Sequence, residues 1–317
     1  SSESGGLELE KDSKAARYPS YRVDGVSVYA QLDWHATDNL TLSGGARRQQ
    51  MDVDVSDFKG VPGGSNDYQV NLFNIGAIYD FKNGHQVWSN YGEGFDLPDP
   101  AKYYGKPGLS VADNPLAGIK SRQVELGWRF ADLDWDAQAA LYYIWSDKII
   151  NVDSQTLTIN VEEQKSRDFG FEGALTRHFQ SGWEAGGTLH LTRSEEEAAN
   201  GGWNKRDARY ASLSKSTAFV GWKGDGRSAR LQANHAFTLK DDADHEIDGS
   251  TTFDLLGSQE TGFGTFSAGI QNLLDKQYST VWGQRATLFY APTYGPAYLY
   301  DYQGRGRTYT LTWSMAY

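Results

Sequence analysis

The chain contains no cysteine. A disulfide framework and a thiolate metal site are both excluded, and redox chemistry gives no reading of the compartment. Long hydrophobic runs are missing as well. The longest clearly apolar stretch, Ala139 to Trp145, falls far short of the roughly 18 residues that a membrane helix needs. A helical membrane protein is therefore excluded. Positive charge is in deficit, with 30 Lys and Arg against 41 Asp and Glu for a net charge of -11. A general nucleic-acid surface needs a basic footprint, which this chain lacks. The opening stretch, SSESGGLELEKDSKAARYPS, has no apolar h-region, lipidation motif or initiating Met and reads as an internal start.

What is abundant points to a membrane of another kind. The 317 residues include 35 Gly, 19 Tyr and 10 Trp, a poor match to a soluble α/β protein. Mean hydropathy is only -0.61. A transmembrane β-barrel reconciles these values, because only every second strand residue meets lipid while the others face a wet lumen.

The period of two is explicit at the end of the chain. Tyr309, Leu311, Trp313, Met315 and Tyr317 share one parity, while Thr308, Thr310, Thr312 and Ser314 share the other. Taken alone, this segment also fits a strand of a soluble sandwich. The same alternation recurs at Val26 to Trp34, Leu40 to Ala46, Val124 to Phe130, Trp135 to Trp145, Phe169 to Leu175, Trp183 to Leu191 and Ala229 to Phe237. Weaker segments lie near 68–80, 85–93, 212–223, 249–258 and 262–274. Together they give about thirteen strands.

Short turns near 36, 82, 132, 180, 225 and 260 alternate with longer loops at 50–67, 94–118, 194–211 and 275–304. In an outer-membrane barrel the short turns are periplasmic and the long loops extracellular. An odd strand number brings the first and last strands together in parallel, so thirteen cannot close a regular barrel and upstream strands are expected. A count short by one leaves closure at fourteen open.

Three runs carry a resemblance: SNYGEGFDLPDPAKYY (Ser89 to Tyr104), GIQNLLDKQYSTVWGQRA (Gly269 to Ala286) and YDYQGRGRTYTLTWSMAY (Tyr300 to Tyr317). They resemble the C-terminal barrel of TonB-dependent siderophore receptors. The run VWGQRATLFYAPTYGPAYLYDYQGRGRTY is most similar to the ferric aerobactin branch of that family. The resemblance implies an all-β transmembrane antiparallel barrel of about 22 strands, of which this chain supplies about the last thirteen. The family's plug domain and TonB box are absent from these residues. Residues 1–22 are expected to form an extracellular loop segment, and 23–317 the barrel strands and loops.

The resemblance also implies a ligand, a ferric siderophore of the citrate-hydroxamate class such as ferric aerobactin. Iron arrives already wrapped by the chelator, so the protein needs no cofactor and no metal ligands of its own. Basic side chains and aromatic walls suit an anionic, partly apolar chelate. Lys102, Tyr103, Tyr104 and Lys106, after the DLPDP run, and Trp282, Arg285, Phe289 and Tyr290, in the last long loop, are the candidates. The alternative readings are a solvated loop surface for the lysines and an aromatic girdle for the tyrosines. The implied partners are the outer membrane and its lipopolysaccharide, the TonB-ExbB-ExbD complex acting through the plug, the N-terminal remainder of the receptor as a separate chain, and phage or bacteriocin; nucleic acid is not among them.

Other chemistry is weaker. Arg122, Lys165 and Arg167 fall near strand tops, open between lumen salt bridges and lipopolysaccharide phosphate. Asp241, Asp242, Asp244, Glu246 and Asp248 crowd one loop with His245, but without EF-hand spacing a solvated acidic loop is expected rather than a Ca²⁺ site. His35, His85 and His178 fall at short turns, His190 and His235 on opposite strand faces, and none sits in a catalytic motif, so an enzyme is not expected. A general diffusion porin remains the rival reading, since a polar lumen serves both functions.

Overall fold

A computed structural model describes residues 16–315 of the chain. Its first six strands are β1 (Tyr21–His35), β2 (Leu40–Val55), β3 (Gly64–Asp80), β4 (His85–Asp96), β5 (Ile119–Ala131) and β6 (Trp135–Ser146), with the short helix α1 (Pro100–Tyr103) between β4 and β5. A loop hairpin of β7 (Ile149–Val152) and β8 (Ile159–Glu162) precedes β9 (Ser166–His178) and β10 (Trp183–Glu197). Then come β11 (Trp203–Lys205), β12 (Lys215–Gly224), β13 (Arg227–Ala236), β14 (Leu239–Lys240), β15 (Glu246–Ile247), β16 (Ser250–Thr261) and β17 (Gly264–Gln271). Helices α2 (Val281–Phe289) and α3 (Ala291–Tyr294) lie in the loop before β18 (Thr308–Ser314).

Thirteen of these strands form one continuous antiparallel path in the order β1-β2-β3-β4-β5-β6-β9-β10-β12-β13-β16-β17-β18, and the short β11 joins the same sheet by pairing with β10. Among the described residues, β1 and β18 each have a single neighbour in this path, so the sheet is open at both edges. The expected thirteen strands are all present.

The register produces one apolar face across the whole sheet. Leu32 stands opposite Gly44, Gly44 opposite Ile75, and Ile75 opposite Tyr91. Tyr91 faces Val124, Val124 faces Tyr143, and Tyr143 faces Phe169. At the other edge Leu231 pairs Leu255, Leu255 pairs Ile270, and Ile270 pairs Tyr309. Cross-strand partners share a face, so the alternation of each strand becomes a property of the sheet. Leu32, Leu126 and Leu311 are 71, 59 and 78% exposed. A soluble sandwich would bury this face; here it is the surface that meets lipid.

The opposite face is polar. Tyr142 donates its hydroxyl to Thr192 Oγ1 and stands 2.9 Å from His190 Nε2. Asn234 donates to Asp254, and Trp88 to Glu125. This face lines the lumen.

All short turns lie at one end of the sheet. The β12–β13 hairpin closes through Asp225 and Gly226, both at positive φ (50° and 68°). That pair is the type I′ geometry that matches strand twist. At the other end lie the long connections, and the first is shorter than the sequence suggests. The reading of 50–67 as loop is corrected: β2 continues to Val55 and β3 begins at Gly64. The strands overshoot the membrane because Val53 and Val55, on the inward parity, are buried by the loops above.

Candidate functional site

The buried residues of this protein gather in the long loops rather than between sheet layers. Val53 and Val55 pack with Tyr104, Val111 and Leu116 from the β4–β5 connection. A second cluster joins Ala208, Leu213, Ile247 and Phe289 from three other connections. The loops thus fold together into a cap at the extracellular end.

Each candidate residue has a definite place in that cap. The DLPDP run makes α1: Asp99 caps it by accepting from the backbone N–H of Ala101 and Lys102 at 3.0 and 3.4 Å, and Pro100 occupies the first turn. Lys102 is left exposed. Tyr104 is only 3% exposed; its hydroxyl accepts from Asn66 (2.8 Å) and the Leu116 N–H (2.9 Å) and donates to the Asn114 carbonyl (2.8 Å). Burial raises the Tyr104 hydroxyl pKa, against the opposing pull of those two donors. Lys106 lies 5.5 Å from the Tyr103 ring centroid and donates to Asn160 on β8. Burial lowers its pKa, and Asp153 pulls it back.

The second group sits on α2, a helix within what sequence reads as loop. Thr280 caps it by accepting from the Gly283 N–H at 3.0 Å. Gly283, Ala286 and Phe289 are buried at helical spacing, which leaves Trp282 60% exposed against Tyr302 (ring centroids 5.1 Å). Tyr290 packs at the edge of the second cluster. Arg285 turns inward: Nε donates to the Ala208 carbonyl (2.9 Å) and Nη2 to the Ala211 carbonyl (2.5 Å). Burial lowers its pKa, with Asp207 opposing.

The two groups belong to separate clusters, and the β7–β8 hairpin ties them together. It receives Lys106 at Asn160 on one side and the Tyr294 hydroxyl at the Gln155 carbonyl on the other. The sequence signal for this hairpin was present in IINV and TINVE around a DSQT turn.

Arg206 and Arg209 are functional candidates that sequence reasoning missed. Arg209 donates to the Val152 carbonyl at 2.8 Å and Arg206 to the Ile150 carbonyl at 3.4 Å. Both guanidiniums lie over the Tyr210 ring, at 5.1 Å for Arg206 and 5.3 Å for Arg209, and both Nε atoms are buried without a partner. Together with Arg285 they give the cap three guanidiniums whose acceptors are neutral carbonyls, which satisfy hydrogen bonds without cancelling charge. Asp207 and Glu196 temper the resulting positive potential. The only sequence signal was RDARY, two arginines three apart beside a tyrosine.

The reading of the acidic loop as wholly solvated is corrected at one residue. Asp241 is 5% exposed. Its Oδ1 accepts from the N–H groups of Ala243 and His245, and its Oδ2 from that of Ala208, each at 2.9 Å; His245 Nδ1 is 2.9 Å from Oδ2. Burial would raise this carboxyl, but the donors outweigh it and hold the pKa below the usual range. Asp207, Asp241 and His245 lie within 4.8 Å of one another, yet Asp241 is already engaged by four donors in fixing the loops.

Comparison with known proteins agrees with the architecture. Residues 4–273 match the family described as TonB dependent receptor-like, beta-barrel. The chain is 39% identical over its full length to a ferric aerobactin receptor of Klebsiella pneumoniae, spanning 47% of that protein. It is 36% identical over 98% of its length to a rhizobactin receptor of Rhizobium meliloti, spanning 46% of it. The chain thus covers about half of each receptor. Among solved structures, the copper transporter OprC superposes with a TM-score of 0.74 over 91% of this chain and 48% of that one, at 16% identity, a likeness of fold alone.

Proposed function

This chain belongs to the TonB-dependent outer-membrane receptors, and from that premise we propose that the protein it is part of imports a ferric citrate-hydroxamate siderophore, ferric aerobactin. The family is one of transport receptors, not enzymes. The observation that supports the choice of ligand is the similarity, over nearly all of this chain and about half of each relative, to receptors named for ferric aerobactin and rhizobactin. An anionic chelate also suits a cap whose arginines rest on neutral carbonyls. TonB and its inner-membrane complex supply the energy through a plug, and the surrounding leaflet supplies lipopolysaccharide as a neighbour.

In this reading the eight candidate residues divide the work. Lys102, Tyr103, Lys106, Trp282 and Tyr290 contact the chelate, while Arg206 and Arg209, already bonded to the Ile150 and Val152 carbonyls, contribute positive potential. Tyr104, Arg285 and Phe289 hold those contacts in place, because their polar atoms or rings are committed within the cap. The expected extracellular segment 1–22 lies outside the described residues up to position 15; residues 16–20 lead into β1, and the strands and loops that follow form the barrel wall and its cap.

Tryptophan fluorescence of the intact receptor in detergent tests this. Ferric aerobactin should quench at sub-micromolar concentration and ferrichrome should not. Lys102→Ala and Trp282→Ala should each weaken the aerobactin response several-fold, with barrel stability unchanged because exposed loop side chains contribute little to folding. Equal responses to both chelates, or unaltered affinity in both variants, would contradict the reading.

A further inference from the structure

The lumen face changes character around the sheet, and the register shows where. Between β1 and β10 the inward parity carries bulky and charged groups. Tyr29 stands opposite Arg47, Trp88 donates to Glu125 at 2.6 Å, and Glu172 stands opposite His190, with 3.7 Å between the carboxylate and Nε2. On β17 and β18 no inward side chain is charged and none is aromatic. Ser258 on β16 stands opposite Ser267, and Ser267 opposite Thr312; the row extends to Ser228 on β13, whose hydroxyl is 2.6 Å from that of Ser258. The next row up pairs Leu256 with Gly269 and Gly269 with Thr310, and Gln271 opposite Thr308 completes a strip. These residues share the parity of Asp254, not of Leu255 and Ile270, and so face the lumen.

The strip runs from the ligand loop to the periplasmic end. The connection that carries α2 joins β17 to β18, so the strip begins beneath the loop that presents Trp282. Asn272 holds that loop at the head of the strip: its Nδ2 donates to the Lys276 and Arg305 carbonyls at 2.9 and 3.1 Å, and its N–H to Asp254 Oδ1 at 2.9 Å. The longer polar groups along one flank are bonded to one another. Asn234 donates to Asp254 at 2.9 Å, Gln232 to Asn234 at 2.7 Å, and Arg230 Nη2 to Gln232 at 3.0 Å. Arg230 lies 3.6 Å over the Phe219 ring, with Nη1 3.8 Å from Glu184. At the lower half of the strip is a cavity of about 780 Å³ lined by Ser258, Ser267, Gly269, Thr310 and Thr312 together with Arg230. That volume suits a drug-sized ligand.

Passage through a pore needs contacts that are favourable enough to admit a solute and weak enough to release it. Hydroxyl and amide groups both donate and accept, so they can exchange partners with the oxygens of a hydroxamate-carboxylate chelate without trapping it. The Glu125 and Glu172 carboxylates on the other sector repel an anion. Arg230, offset by Glu184, supplies one modest positive charge beside the strip.

We infer that the lumen wall of β17 and β18, from Gln271 and Thr308 down to Ser267 and Thr312, is the track along which the ferric chelate passes from the cap to the periplasm, with the cavity beside Arg230 as its last station. The inference rests on the siderophore reading and specifies the side of the lumen on which the plug gives way.

The chain has no cysteine, so a thiol introduced into it is its only one. The test uses cells carrying the intact receptor as Ser267→Cys, Thr310→Cys or Ala174→Cys, the last on the inward parity of β9 opposite Thr188. A bulky methanethiosulfonate is added during uptake of ferric aerobactin labelled with radioactive iron, labelling is verified by mass spectrometry, and the unaltered receptor given the same reagent is the baseline. Labelling at Ser267→Cys or Thr310→Cys should cut uptake at least tenfold, with ferric aerobactin quenching of tryptophan fluorescence unchanged, and reduction should restore uptake. Labelled Ala174→Cys should import at the baseline rate. Strip thiols that stay unlabelled during uptake, labelling without loss of uptake, an equal block at Ala174→Cys, or loss of binding together with uptake would each overturn the inference. Failure of the unaltered receptor to import ferric aerobactin would instead refute the siderophore reading, so the two failures are told apart.

Discussion

Asp241 shows how much a single carboxylate can organise when it is surrounded by donors. Three backbone N–H groups and the His245 ring converge on it from two loop segments, so the 198–214 and 237–249 connections share one anchor. In Asp241→Asn the amide that replaces Oδ2 faces the Ala208 N–H as a second donor, leaving it unpartnered at a cost of about 1–3 kcal/mol. Hydrogen exchange at Ala208 and its neighbours should rise accordingly while the strands stay protected. The pH dependence has a definite sign. The folded pKa lies below the unfolded value of about 3.9, so the stabilisation is fully present above about pH 4 and is lost as pH falls through the folded value. Exchange of this loop in the unaltered protein should rise on acidification below that point, and in Asp241→Asn this contribution should be absent. An identical acid response in both would show that Asp241 is not the anchor.

At the scale of elements, the paired strands make the two faces inequivalent, and substitutions on one strand measure this. Leu141 on β6 is 57% exposed on the outward face, while its neighbour Tyr142 hydrogen-bonds on the inward one. Leu141→Arg should destabilise the barrel by about 2–4 kcal/mol in lipid vesicles, whereas Gln138→Arg, on the inward parity, should cost far less. Comparable losses at both positions would mean that the faces are misassigned. Period-two alternation was legible in the sequence because each strand reports its own two faces. The turns were legible for a similar reason: a short connection such as Asp225-Gly226 carries its geometry in two residues. The helix α2 was not. Its buried face of Gly283, Ala286 and Phe289 is small and interrupted by an exposed Trp282, and it forms because the second loop cluster is there to receive it. The inward turn of Arg285 escaped for the same reason, since its acceptors lie 77 and 74 residues away.

For the whole molecule, the fold separates two jobs by height. The sheet spends its apolar side chains on lipid and keeps little buried between layers, while the extracellular connections carry the buried clusters and the cations. The most direct measurement of the central claim is uptake of radiolabelled iron by cells whose only siderophore receptor is the intact protein, with and without TonB. The account predicts accumulation from ferric aerobactin, none from ferrichrome, and loss of uptake without TonB. Uptake that persists without TonB, or that fails to distinguish the two chelates, would contradict it and favour a diffusion pore.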